Sequence, residues 1–176
     1  MGRIGLALGA AVLAAGLAAR VEAGEQYVDG SGFAVSGYDT VAYFDLAQAP
    51  PGRAQPAAVP GRSDITATYN GARFAFSSTA NRDRFLADPA RYAPQYDGHC
   101  ALGVAMEGKV PGNPQLWRIV DGRLYLNIVP RAVELWEADI PANISRAEGN
   151  WPALEPAAAA ADAVPGLPAG AAPQPQ

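Results

Sequence analysis

His99 and Cys100 stand side by side in Tyr96-Asp97-Gly98-His99-Cys100-Ala101, and they are the only histidine and the only cysteine among 176 residues. Chemistry that needs an imidazole base or a sulfur nucleophile therefore happens here or nowhere. His99 to Glu107 reads as a short helix that Gly108 ends. That reading puts the thiol in the first helical turn, where free amide groups and the helix dipole favour thiolate. Sulfur with imidazole suits a soft metal such as copper before magnesium or calcium. Cys100 has two other readings: a small buried hydrophobe beside Val104, or a redox or nucleophilic thiol. His99 likewise reads either as a metal ligand or as a hydrogen-bonded imidazole at a helix start. Met106 is a third soft donor, but it lies roughly 10 Å along a helix from His99, too far to share an ion. Tyr38, Asp39 and Tyr96 are the candidate residues for lining a ligand pocket.

The same inventory excludes much. One histidine and one cysteine cannot supply a two-histidine zinc motif, a Cys-x-x-Cys redox site or a covalent c-type haem attachment. There is no phosphate-cradling Gly-x-x-x-x-Gly-Lys loop, no dinucleotide-binding Gly-x-Gly-x-x-Gly after a strand, and no Gly-x-Ser-x-Gly elbow. Asp39, Asp45, Asp83, Asp88 and Asp97 each sit near a turn or helix start, where capping accounts for them. The net charge is −4, and Lys109 is the single lysine. No basic stripe exists to neutralise phosphates, so nucleic acid is not an expected partner.

Elements that position these residues follow from the pattern. Residues 1–23 read as a signal peptide: Arg3, then an uncharged run from Ile4 to Ala19, then Val21-Glu22-Ala23 as a cleavage site. The run is shorter than the ~20 residues a membrane span needs. A periplasmic or secreted protein without a stable membrane anchor is expected. Residues 24–32 are a lead-in, and 33–152 the folded domain. Residues 153–176, rich in Ala and Pro, are an expected disordered tail. Asp39 caps a turn or two over Thr40 to Phe44. Residues 45–63 read as a mobile surface loop. Ile65 to Tyr69 and Arg73 to Phe76 form a hairpin around Asn70-Gly71, and Gln115 to Val120 and Arg123 to Ile128 a second around Asp121-Gly122. Both faces of the second carry apolar groups, so it is covered on both sides. Helices are predicted over Thr79 to Ala87, for one turn after Asp88-Pro89, and over Pro130 to about Asp139, where Pro141 stops the last of these helices. A last helix or turn spans Asn143 to Trp151. The fold class is α+β: a small antiparallel sheet built from two β-hairpins, with short helices packed on it, in a single domain. No internal repeat is visible in the residue pattern.

Several strings carry a family resemblance. Val35-Ser36-Gly37-Tyr38-Asp39-Thr40-Val41-Ala42-Tyr43-Phe44, Tyr69-Asn70-Gly71-Ala72-Arg73-Phe74-Ala75-Phe76-Ser77-Ser78, Asp88-Pro89-Ala90-Arg91-Tyr92-Ala93-Pro94-Gln95-Tyr96 and Gly98-His99-Cys100-Ala101 resemble the YHS-domain proteins of bacterial exported type. The likeness runs over residues 33–152. It implies a small α+β domain without settled catalytic activity, in a superfamily associated with heavy-metal handling. In the thiolate members, a Cys-Gly-Met follows the opening and two more cysteines flank the start of the helix after the second strand. Here the opening reads Asp39-Thr40-Val41, and Ser77 and Asn81 stand at the flanking positions, so that soft-metal cage is missing. The expected function is a non-enzymatic binding module, with copper at Cys100 and His99 as the candidate ligand. A protein-interaction or accessory domain and a thiol-dependent enzyme using Cys100 are the alternatives.

Overall fold

The computed structural model describes residues 24–167. The expected signal peptide and residues 168–176 of the expected tail lie outside the described residues. Among the described residues no helix is long and apolar enough to cross a membrane.

The chain is a single α+β domain, but its hairpins do not join into one sheet. Strands β1 (Arg62–Tyr69) and β2 (Ala72–Phe76) form one antiparallel pair, and β3 (Asn113–Val120) and β4 (Arg123–Asn127) form another. The reason lies on the faces of β4. Leu124 and Leu126 enter one hydrophobic core with Phe74, Phe76 and Phe85, while Tyr125 between them enters a second with Trp136 and Val104. The second hairpin is thus a wall between two cores, buried on both faces as its composition predicts, and side chains rather than backbone bonds join it to the first.

Helices α1 (Thr79–Ala87), α2 (Pro89–Tyr92), α3 (Ala101–Ala105), α4 (Pro130–Glu137) and α5 (Ile140–Leu154) complete the fold, with single 3-10 turns at Val35–Gly37, Ala42–Asp45 and Gln95–Gly98. Ser78 caps α1 through the Asn81 amide, and Asp88 caps α2 with Pro89 in its first turn. Pro141 does not end a helix. It lies in the first turn of α5, where a missing N–H costs nothing, behind the Asp139 cap.

These elements repeat, although the residue types do not advertise it. Val35, Ser36 and Gly37 have φ of 51°, 51° and 79°; Tyr96, Asp97 and Gly98 have 54°, 52° and 81°. After each left-handed triplet comes one extended residue, bridged to a proline: Tyr38 to Pro60 and His99 to Pro111. Gly61 donates to the Gly37 carbonyl at 2.9 Å, and Gly112 to the Gly98 carbonyl at 3.0 Å. Asp39 N–H bonds Val59 O and Cys100 N–H bonds Val110 O, both at 2.9 Å. The hairpins share one register, including the irregularity: Arg62 opposes Phe76 and pairing resumes at Thr66, while Asn113 opposes Asn127 and pairing resumes at Trp117. Caps Asp88 and Asp139 close each unit with φ/ψ of −152°/74° and −156°/79°. The domain is two copies of one module, roughly residues 35–92 and 96–154.

One connection breaks the symmetry. From its first helical turn to its hairpin, the second module needs only residues 106–112; the first uses 46–61. That longer segment, expected to be mobile, is instead bound along β3. Gln48 takes both backbone groups of Ile119, at 2.6 and 3.2 Å, the Trp117 indole donates to Pro56 O at 2.9 Å, and Ala58 N–H bonds Gln115 Oε1 at 3.0 Å. Strand β3 has a ladder partner on one side only, and the segment covers its open edge.

Residues 155–167, part of the expected disordered tail, lie against the body of the domain. Lys109 Nζ donates to the carbonyls of Glu155 and Ala157, and Tyr27 Oη donates to Asp162 O at 2.8 Å.

Candidate functional site

The short run Tyr96-Asp97-Gly98 sets the site. Its three left-handed residues turn the chain so sharply that His99 leaves in extended conformation, bridged to Pro111, and Cys100 becomes the N-cap of α3 instead of a first-turn residue. The sulfur accepts the Gly103 amide at 3.4 Å and lies 3.5 Å from Asn127 Oδ1, to which it donates. Both residues are buried, Cys100 at 1% exposure and His99 at 0%. Burial raises the Cys100 thiol pKa; backbone amides of Gly103, Ile128 and Leu102 offset this only in part. Burial thus works against the thiolate that a first-turn position would favour, and the placement agrees with the reading of Cys100 as a small buried residue. A helix of five residues ending in Ala105 has little dipole to oppose the desolvation.

The imidazole is equally committed. Ala160 N–H donates to Nε2 at 3.1 Å, so Nε2 is unprotonated, and Nδ1 carries the proton it gives to the Tyr96 carbonyl at 2.9 Å. Desolvation lowers the His99 pKa to about 4, against the opposing pull of the Tyr96 carbonyl. Tyr27 and Trp151 flank the ring, with centroids 6.0 and 6.3 Å away. Copper does not fit this arrangement. His99 offers no free lone pair, the sulfur faces amide donors, and the described residues contain no group of three or more His, Cys, Asp or Glu able to hold a metal.

Tyr96 packs at a tilt against Tyr125 and Trp151, with centroids 5.9 and 5.5 Å away, and is a wall of the second core. Tyr38 and Asp39 do not join His99 and Cys100. They hold the corresponding places in the first module, Tyr38 packed against its core and Asp39 fully buried. Asp39 Oδ1 accepts the amides of Val41 and Ala42 at 2.9 and 3.2 Å. Its Oδ2 accepts the Ser77 amide, the Ser77 hydroxyl and the Asn81 side-chain amide at 2.8, 2.6 and 2.7 Å. Ser77 and Asn81, the positions where the resemblance places cysteines in thiolate members, thus converge on a carboxyl group in this chain. Five donors on one side chain tie the first turn, β2 and α1 together and leave no lone pair for a ligand.

Residue patterns did not reveal three further features. Asp97 accepts a hydrogen bond from Gln26 on Oδ1, while its buried Oδ2 has no partner among the described residues. Burial, followed by the charge of Glu155, raises its pKa to about 6. Arg118 and Glu137 form an ion pair whose side chains are 5% and 7% exposed. A cleft of about 640 Å³ opens between residues 51–55 on one side and Trp117, Leu116 and α4 on the other. The pairing of arginine and glutamate on separate elements and the cleft are products of tertiary structure. The only sequence signal was the length of the 46–61 connection.

Fold and site together define a small duplicated α+β module whose potentially reactive groups are internal. A family model described as YHS domain matches residues 54–96. The chain carries a YHS domain, and the match covers β1, β2, α1 and α2 of the first module and stops where the second begins. No curated protein and no solved structure matches the chain.

Proposed function

We propose that this protein is a non-enzymatic binding module in which His99 and Cys100 serve the fold. One observation carries this: both nitrogens of the only imidazole and the only thiol sulfur are spent on hydrogen bonds inside the protein. A nucleophile or general base needs a free lone pair at a reachable position, and neither residue has one. The test is a thiol count with a maleimide in native and denaturing buffer. The expected result is negligible labelling of native protein and one thiol per chain after denaturation. Rapid stoichiometric labelling of native protein overturns the reading.

The finer reading, a soft-metal site such as copper at Cys100 and His99, rests on donor chemistry and on the heavy-metal association of the superfamily. It requires Ala160 to leave Nε2 and the sulfur to give up its amide donors. Anaerobic competition for Cu(I) against a chromophoric chelator separates the two. Equal competition by wild type and Cys100→Ser agrees with a structural thiol, and copper capture lost in Cys100→Ser establishes the metal site. The exported setting rests on residues 1–23, and a mature N-terminus at Gly24 in a periplasmic or culture fraction would support it.

A further inference from the structure

The cleft beside α4 is where the two modules differ most, and it is built by the connection that only the first module has. That connection is held at both ends. Gln48 and Ala49 fasten its start to Ile119 and Arg118, and Pro56 and Ala58 fasten its end to Trp117 and Gln115. Between these anchors, residues 50–55 arch away from the sheet, and Gly52 N–H donates to Glu137 Oε2 at 2.6 Å. Glu137 is itself held by Arg118 Nε at 2.7 Å, and Arg118 Nη1 donates to the Ala49 carbonyl at 3.1 Å. A buried ion pair is no better for stability than well-packed apolar residues of similar size. Its effect here is positional: it fixes the arch to α4 and strand β3 at once, so the space beneath stays open instead of collapsing onto Trp117.

The lining sets the chemistry of the occupant. Pro51, Ala54, Leu116, Trp117, Pro130 and Val133 supply apolar surface. All the polar side chains around it except Arg53 are already engaged: Glu137 by Arg118 and Gly52, Glu134 by Arg131, the Trp117 indole by Pro56, Gln115 by Ala58, and Gln55 by both backbone groups of Ala49. Arg53 on the arch has no ion pair and no side-chain hydrogen bond among the described residues, so a cation would find no uncommitted counter-charge on these walls and would meet a positive one. The space, about 640 Å³, lies within the ~300–1,000 Å³ of small-molecule sites, which favour junctions between structural units. We propose that this cleft binds a largely apolar small molecule that carries no positive charge. The proposal rests on the binding-module reading, and the two fail separately: a reactive native thiol overturns that reading without touching the cleft measurement.

The test is fluorescence titration of the intact protein with the neutral probe N-phenyl-1-naphthylamine. Saturable binding at one site per chain is expected. Val133→Asp, which puts a charge on the α4 wall, is expected to raise the Kd at least tenfold. Ala54→Asp does the same from the exposed arch and keeps the test valid if Val133→Asp does not fold. Leu86→Asp, at an exposed residue of α1, controls for surface adsorption and is expected to leave the Kd within twofold. Non-saturable binding, a Kd unchanged by both cleft variants, or an equal loss in Leu86→Asp overturns the proposal.

Discussion

Asp39 and Cys100 occupy the same place in their two modules, and the neighbours each has collected differ sharply. Both follow a left-handed triplet and a proline-bridged residue, and both cap the next turn. Asp39 gathers five donors, three of them backbone amides. Cys100 has weak sulfur contacts and one acceptor, Asn127. Where the first module has Ser77 and Asn81, the second has Ile128 and Ala132, which offer no side-chain donor. One scaffold therefore closes by two means: a carboxyl-centred hydrogen-bond hub in the first module, and apolar packing around a thiol in the second. The only imidazole and thiol in the chain stand at the two places that Tyr38 and Asp39 fill in the first module.

The largest effect is expected where the hub is removed. Asp39→Ala strands the amides of Val41, Ala42 and Ser77 and the side chains of Ser77 and Asn81 in a buried place. Losing that set costs about 3–5 kcal/mol, from roughly 1 kcal/mol per buried hydrogen bond. Urea denaturation followed by circular dichroism measures it. A cost below about 1 kcal/mol would remove the hub and, with it, the contrast between modules.

A second measurement asks whether the modules are equivalent at all. Gly61 and Gly112 sit where the chain crosses the second strand of its own hairpin. A Cβ at Gly61 would lie 2.5 Å from the Ala75 carbonyl group; one at Gly112 would lie 2.6 Å from Gly98 O and 2.7 Å from Leu126 Cβ. Backbone cannot yield as a flexible side chain does, so Gly61→Ala and Gly112→Ala should each cost about 2–3 kcal/mol, as overpacking does. Similar shifts in denaturation midpoint sharpen the duplication. A large cost at one and none at the other breaks it.

Much of this was readable in the sequence. Asn70-Gly71 and Asp121-Gly122 are local turn chemistry, and they located both hairpins within a few residues. Ser78 and Asp88 located helix starts for the same reason. The duplication was written in a thinner signal. Pro60-Gly61 and Pro111-Gly112, the two turn pairs, and Asp88 and Asp139 recur at one constant spacing, but the residues between them share geometry and not identity. The fate of His99 could not be read locally, because Ala160, far along the chain, supplies the amide that closes Nε2. The same holds for residues 46–61, whose run of Ala, Pro and Gly with Gln48, Arg53 and Gln55 has no strand or helix period to tie it to the bare edge of β3.

Titration distinguishes the modules more gently. At the places of Asp97 and His99 the first module has Ser36 and Tyr38, so acid sensitivity at this position belongs to the second alone. The His99 pKa falls from an ordinary value near 6.5 to about 4, so its contribution is present above pH 6.5 and is lost as pH falls toward 4. The Asp97 pKa is raised to about 6, so its contribution is present near pH 4 and is lost as pH rises through 6. Between pH 4 and 6 the two oppose each other and flatten the wild-type profile. Asp97→Asn, tolerated at a left-handed residue, leaves His99 unopposed. Stability should then fall by on the order of 2 kcal/mol more than in wild type between pH 7 and pH 4, from 1.36 kcal/mol per pKa unit. Urea midpoints across that range measure it, and parallel profiles for the two proteins would refute it.

The smallest effect is expected at the residue whose type first suggested chemistry. In Cys100→Ser the hydroxyl can still accept the Gly103 amide and donate to Asn127, both stronger interactions for oxygen than for sulfur. It gives up some apolar volume in return. The net cost should be about 1 kcal/mol, the scale of a single cap or hydrogen bond, and well below that of Asp39→Ala. Cys100→Val keeps the volume but strands the Gly103 amide and leaves Asn127 Oδ1 with the Leu102 amide as its one donor, so it should cost more than serine does. That order, read from urea midpoints, follows only if the thiol acts as a cap. If valine is tolerated better than serine, sulfur is there for its volume alone, and the parallel with Asp39 reduces to backbone geometry.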